Sequence, residues 1–525
     1  MTGIDWTIIC VYLIGMIAMS VYLGRGQEDD ADYYVGGRKL PWWAVGISVV
    51  ATQSSAISFV SVPAFVALRE GGGLAWLQYE LAVPIAMVFV MLVLVPYFRG
   101  LQLVSVFEFL EARFGSGTAK LLSTIFLLSR GFGTGVGVYA TAVVLSSMMQ
   151  LPTGATILII GIAAIIYDTI GGITAVVWSD VIQLGLIVLG AILCIAFAAN
   201  EVGSFGALFQ TVDPARLDGF QPGTGLGDGE TIPFWAFLIG GFFLYASYYG
   251  TDQSQVQRVL CTSSTEEASR SLFLNGIARL PLTCLYLLLG LAIGATYQVS
   301  PELRDAVTQA GSIDSVVPKF ILIYLPSGVR GVLLAAILAA AMSSLDSAIN
   351  SLSAVTMRDY VEPRIKLSKR QQLFYGKVTT VLWGLVVTAF AFGAGGISKT
   401  VIEATNKVGS AFFGPVLAAF VIGVLTRSVG GAAMIVAVLA GVSLNLTLWL
   451  TEAPVHWMWW NAFGFALTGA IAMVSTRFVQ PPQNVQVPEP KSILPELSLN
   501  RSHYMLFGYF VFILVLIAST HVLFG

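Results

Sequence analysis

Between positions 339 and 350 the chain reads Ala-Ala-Ala-Met-Ser-Ser-Leu-Asp-Ser-Ala-Ile-Asn, inside an apolar stretch of about 329–357. At about 100° per helical residue, Ala340, Ser343, Ser344 and Ser347 share one face. Asp346 lies about 60° beyond Ser343, and Asn350 follows it one turn on. Hydroxyls, carbonyls and a carboxylate are hard oxygen donors. Such donors suit a monovalent cation, much as carbonyl rings replace an ion's hydration shell in channel filters. Small residues also let membrane helices approach, and Ser can bond its own backbone. That accounts for the serines but not for Asp346.

Other charges sit in equally apolar surroundings: Glu80, Arg130, Asp180, Asp252, Arg279, Lys377, Glu403 and Lys407. Ionisable groups inside a membrane are costly and mark a site or a pathway. Three segments read as interrupted helices. Gly46 to Ala56 places Thr52, Gln53, Ser54 and Ser55 in mid-span. Ser247 to Arg258 turns from apolar to polar through Gly250. Glu403 to Ser410 is followed by Gly414-Pro415. Backbone broken at membrane depth is tolerated only where it lines protein or a water-filled cavity, and its freed carbonyls can hold a cation.

These residues need a membrane bundle to position them, and the composition provides one. Of 525 residues, 56% are hydrophobic and 11% are charged, against about 25% charged in a soluble domain. Fourteen runs are long enough to cross a bilayer as helices. They lie at about 5–23, 42–67, 74–98, 118–148, 152–169, 173–199, 232–251, 268–296, 329–357, 373–395, 400–424, 430–451, 456–475 and 503–523. With both termini outside, the cytoplasmic loops collect 17 of the 27 Lys and Arg, Arg258 among them, and the outside loops 6. That bias fits the positive-inside rule for a multi-pass protein of the plasma or inner membrane. A short helix is expected on the outer face near 316–325, and a Pro/Gln-rich linker at 480–496.

The first two breaks fall in helices two and seven. Five helices apart is the pattern of two inverted units. The chain then divides into a first peripheral helix and loop (1–41), repeat one (42–199), an extracytoplasmic loop (200–231), repeat two (232–424) and three peripheral helices (425–525).

Several function classes are excluded. The net charge of −2 offers no basic surface for nucleic acid. No GxxxxGK[ST] loop is present, so the chain carries no nucleotide motor of that type. The cysteines (Cys10, Cys194, Cys261, Cys284) and histidines (His456, His503, His521) have no metal or catalytic spacing, and no enzyme activity is expected.

The stretches Tyr167-Asp-Thr-Ile-Gly-Gly-Ile-Thr-Ala-Val-Val-Trp-Ser-Asp-Val-Ile-Gln183, Met342-Ser-Ser-Leu-Asp-Ser-Ala-Ile-Asn-Ser351 and Asp252-Gln-Ser-Gln-Val-Gln-Arg258 resemble the sodium:solute symporter family. The resemblance implies an all-α leucine-transporter-type fold of five plus five inverted helices, sodium as coupling ion, and alternating access. By position, it implies a main Na+ site of the carbonyls of Ala51, Ser54 and Ala340 and the hydroxyls of Ser343 and Ser344. It implies a second Na+ site at Asp180, Ser343, Asp346 and Ser347, where other members often carry Ser or Thr in place of Asp346. The solute pocket would use Gln53, Ser58, Glu80, Tyr245, Tyr248, Arg279 and Lys407. Gln53 and Ser58 depart from the amides of sugar-binding members. Arg279 and Lys407 could meet a carboxylate or be neutralised by Glu80 and Glu403.

The expected function is Na+-coupled uptake of a small polar organic solute, a sugar or polyol or a small carboxylate. Its partners are the bilayer, Na+ and the solute; the sequence fixes no oligomeric state. Proton coupling through Asp346 and Asp180 is the nearest alternative, and an ion channel the alternative of another class.

Overall fold

Apolar runs of this length fold as helices because hydrocarbon offers no partner for free backbone N–H and C=O groups. The computed structural model describes residues 1–394, 401–478 and 499–525, without the side chains of 401–406. Helix is the only regular structure among them. The expected linker at 480–496, Lys399 and the side chain of Glu403 lie outside the described residues.

Ten described helices are long and apolar enough to cross a membrane. The pair Trp42–Gln53 and Ala56–Leu68, bent by 58°, meets the same length and apolarity requirement when its two halves are taken together. Three of the fourteen expected runs are not separate helices in that set. One shares the 50-residue helix Thr153–Val202, already among the ten, which Gly172 interrupts at φ 59°, ψ −158°. One is the stretch 236–251, which opens with a π turn. The last is Met458–Ser475. The short helix expected near 316–325 is present as Val316–Tyr324.

At the centre lies the helix Val329–Val355, referred to below as the serine helix. It packs against Thr153–Val202 and Ser116–Met149 and is buried on nearly every face. The helix Thr265–Val299 cradles both halves of the bent pair. Glycines make this approach possible. A Cβ on Gly46 would stand 2.9 Å from the Ser271 carbonyl, and one on Gly290 would stand 2.8 Å from the Pro63 carbonyl. Small residues at crossings are how membrane helices gain packing without a hydrophobic driving force.

Two expected breaks differ in detail. The second falls at Asp252 (φ −74°, ψ 122°), not at Gly250, because the Asp252 side chain caps the next helix, Gln253–Leu260, by accepting from the Ser254 amide at 2.8 Å. Gly250 remains helical. At Gly414-Pro415 the helix Val401–Leu425 continues without a break. Gly414 serves packing instead: its Cβ would collide with the Asn461 carbonyl at 2.1 Å.

Gly172 adopts a backbone conformation essentially closed to side-chain-bearing residues, and its Cβ would stand 2.6 Å from the Tyr33 carbonyl. Gly172→Ala is therefore expected to lower the thermal midpoint of the detergent-purified protein. The loss should correspond to about 1–3 kcal/mol from the backbone conformation. An unchanged midpoint would refute this account of the kink.

Candidate functional site

The bent pair breaks at Ser54 and Ser55 for a local reason. The Ser54 amide closes a tight turn onto the Ala51 carbonyl at 2.9 Å. The Ser55 hydroxyl then caps the second half by accepting from the Ser58 amide at 3.3 Å. The gap opens onto a central cavity of about 350 Å³. Ser54 and Ser55 line it from one side and Ser344 of the serine helix from another. Ser54 also hydrogen-bonds the Tyr286 hydroxyl. Ala51, Ala340 and Ser343 are buried, each next in the chain to a cavity-lining residue: Thr52, Ala341 and Ser344. The proposed main-site residues thus come from two elements that meet at one cavity.

Of the solute candidates, Gln53, Ser58, Glu80, Tyr245, Tyr248 and Arg279 line the same cavity. Arg279 grips Glu80 with both ends of its fork, at 2.9 Å from Nε and 2.7 Å from Nη2. Thr283 donates to the same carboxylate at 2.9 Å. The remaining Arg279 nitrogen donates to Gln53 and to the Tyr249 hydroxyl, and its guanidinium lies over the Tyr245 ring at 5.1 Å. Of the two roles open to Arg279, neutralisation by Glu80 is the one observed. Tyr248 accepts from the Gln255 amide at 2.9 Å and stands against Phe413.

Lys407 is elsewhere. It lines a second cavity with Ser61 and Asp314, which adjoins the first through Trp76, Tyr79 and Trp457.

Arg130 is a cavity residue that position alone did not single out as a solute ligand. Its guanidinium donates to the Ser254 hydroxyl at 2.7 Å and stands 3.7 Å from Asp252, while its Nε has no partner. The one sequence signal for it was a basic residue inside an apolar run.

The four residues of the expected second site form a separate buried cluster. Asp180 accepts from Ser343 at one oxygen and from Ser48 at the other, the latter at 2.5 Å. Asp346 accepts from the Tyr167 hydroxyl and from the Ser347 amide. Into this cluster comes Arg258, 3.2 Å from Asp180 and bonded to Ser347. The sequence reading placed Arg258 in a cytoplasmic loop; its side chain is 1% exposed. The reason is that the whole of Gln253–Leu260 is buried, so its polar stripe faces protein instead of water.

Among the described residues no group of three or more His, Cys, Asp or Glu could hold a metal ion.

The family model described as "Sodium:solute symporter family" matches residues 33–441. A sodium/sialic acid symporter of Aliivibrio fischeri is 30% identical over 491 residues, covering 91% of this chain and 93% of its own. The sodium/sialic acid symporter of Proteus mirabilis is 30% identical over 84% of this chain and 88% of its own. Human sodium-coupled monocarboxylate transporter 1 is 28% identical over 84% and 72%. A solved structure of a Na+-coupled sialic acid symporter, substrate-bound and outward-open, superposes with a TM-score of 0.82 at 26% identity, over 92% of this chain and 99% of that one. A nucleobase-cation-symport-1 family transporter shares the fold at a TM-score of 0.53 and 14% identity, over 90% and 99%.

The Glu80–Arg279 pair yields a stability prediction. Glu80→Gln leaves a buried guanidinium without its carboxylate, and breaking a buried pair costs about 3–5 kcal/mol. Glu80→Gln with Arg279→Met removes both charges and is expected to recover part of that loss. Thermal midpoints of the two variants in detergent check this. A double variant less stable than Glu80→Gln alone would refute it.

Proposed function

The chain belongs to the sodium:solute symporter family, with Na+ as its coupling ion, and on that premise we propose that it imports a small acidic sugar or related carboxylate. The observation that carries this reading is the convergence of the Ser54–Ser55 gap, Ser344 and the Arg130 guanidinium on one cavity.

Sodium binds between the bent pair and the serine helix, to the carbonyls of Ala51, Ser54 and Ala340 and the hydroxyls of Ser343 and Ser344. Holding these two elements in register orders the cavity, so solute binds more tightly. Coupling of this kind is reciprocal, and solute tightens sodium by the same factor. One cation crossing a ~100 mV potential supplies about 2.3 kcal/mol, and a tenfold sodium gradient about 1.4 kcal/mol.

The architecture that serves this cycle has fourteen spans with both termini outside. Residues 42–199 and 232–424 form the two inverted repeats, and 1–41, 200–231 and 425–525 are peripheral. Its support is the Lys/Arg bias of the loops together with paired breaks at Ser54–Ser55 and Asp252.

The solute reading rests on charge. Arg279 has its guanidinium committed to Glu80, Gln53 and Tyr249. Arg130 lines the cavity, and its guanidinium donates to Ser254 at 2.7 Å with Asp252 at the looser distance of 3.7 Å; a guanidinium is the side chain best matched to a carboxylate. Gln53, Ser58 and Thr283 supply hydroxyl partners. An acidic sugar uses both sets, as the names of the two sialic acid relatives suggest. A small monocarboxylate would use Arg130 alone.

The thermal midpoint in saturating sodium chloride is expected to exceed that in potassium chloride at equal ionic strength. A ligand at 100 times its Kd stabilises the folded state by about 2.7 kcal/mol. Ser344→Ala should abolish the difference. Identical midpoints for wild type in the two salts would sink the main-site assignment. With sodium present, N-acetylneuraminic acid should raise the midpoint further, and Arg130→Gln should remove that second rise while keeping the first. A neutral hexose that stabilises as well as the acid would overturn the carboxylate role of Arg130.

A further inference from the structure

The second polar cluster already contains a cation. Arg258 reaches it from the helix Gln253–Leu260 and donates from all three nitrogens. Nε bonds Ser48 at 2.7 Å, Nη1 the Ser254 carbonyl, and Nη2 both Asp180 at 3.2 Å and the Ser347 hydroxyl. An arginine cannot lose its proton in a protein, so a full positive charge is fixed there.

We propose that the Arg258 guanidinium is the resident cation of this cluster, standing where a second coupling sodium would bind, so that the protein takes one sodium per cycle. The inference rests on the main-site reading above and concerns stoichiometry.

The donor geometry supports it. A bound sodium needs oxygen lone pairs turned toward it. Asp180 has both oxygens engaged, one by Ser343 and the other by Ser48 and Arg258. Ser347 accepts from Arg258 and points its own proton at the Ser343 carbonyl, 2.5 Å away. Asp346, the fourth member, is held by Tyr167 and by Ser347. A sodium entering beside Asp180 would meet the guanidinium as a like charge. At about 4 Å and an effective dielectric of about 20 that repulsion weakens binding by roughly a thousandfold.

The functional consequence is a lower ceiling. One sodium driven by ~100 mV and a tenfold gradient supports accumulation of several hundredfold, where two would support about 10⁵.

The test counts radioactive 22Na+ bound per full-length chain in detergent. Wild type is expected to bind one with a Hill coefficient near 1, and Ser344→Ala none. Arg258→Met frees Asp180 and should bind two, whereas Arg258→Lys keeps a cation and should stay at one. Two sodium ions on wild type would overturn the resident-cation proposal and leave the main site standing. None on wild type would overturn the main-site reading and this inference together. One on a folded Arg258→Met, with Ser344 intact, would also overturn the proposal. The wild-type count needs no variant, so it decides the matter even if Arg258→Met fails to fold.

Discussion

A peptide group released from its helix inside a bilayer has no water to turn to, so it must find a partner within the protein. The gap at Ser54 and Ser55 is where this chain accepts that cost. Two serines limit it: one closes a turn onto Ala51 and the other caps the outgoing half. What remains is a pair of helix ends facing a cavity, with polar side chains Thr52, Gln53, Ser54, Ser55 and Ser58 around them. The rest of the bundle is arranged so that this opening can exist. Thr265–Val299 holds both halves through the close approaches at Gly46 and Gly290, and the serine helix presents Ser344 to the cavity.

The same constraint governs the charges. Each buried ion near the cavity is met by an opposite charge or by several hydrogen-bond donors. Glu80 has Arg279 and Thr283, Asp252 has Arg130 and Ser254, and Asp180 has Arg258, Ser48 and Ser343. Asp346 is met by the neutral donors Tyr167 and Ser347. Burying a charge without a partner costs several kcal/mol, whereas a well-bonded pair roughly breaks even. These pairs therefore fix geometry more than they add stability.

Much of this was legible in the chain itself. The helical class, the membrane setting and the cation-suited serine stripe follow from local composition and spacing. The bent pair was readable because four polar residues in a row cannot sit quietly in a hydrocarbon span. The Gly-Pro step at 414–415 misled for an equally local reason. It carries the residues of a break, yet its glycine is explained by Asn461 of another helix. Arg258 misled in the same way: a basic residue after a polar run reads as loop until the packing of Gln253–Leu260 is known.

What the sequence by itself determined is therefore what depends on neighbours along the chain: the apolar helices, the broken helix, the oxygen stripe and the family motifs. What only the tertiary structure decided is which charges meet. Arg279 finds Glu80 across 199 positions, and Arg258 finds Asp180 across 78. Helical periodicity fixes the face on which a side chain stands. It does not fix the partner helix that covers that face, and long guanidinium side chains can reach more than one acceptor. The pairing is settled only when close contacts between helices set the distances, and with it whether a buried carboxylate serves an arginine or an ion from solution.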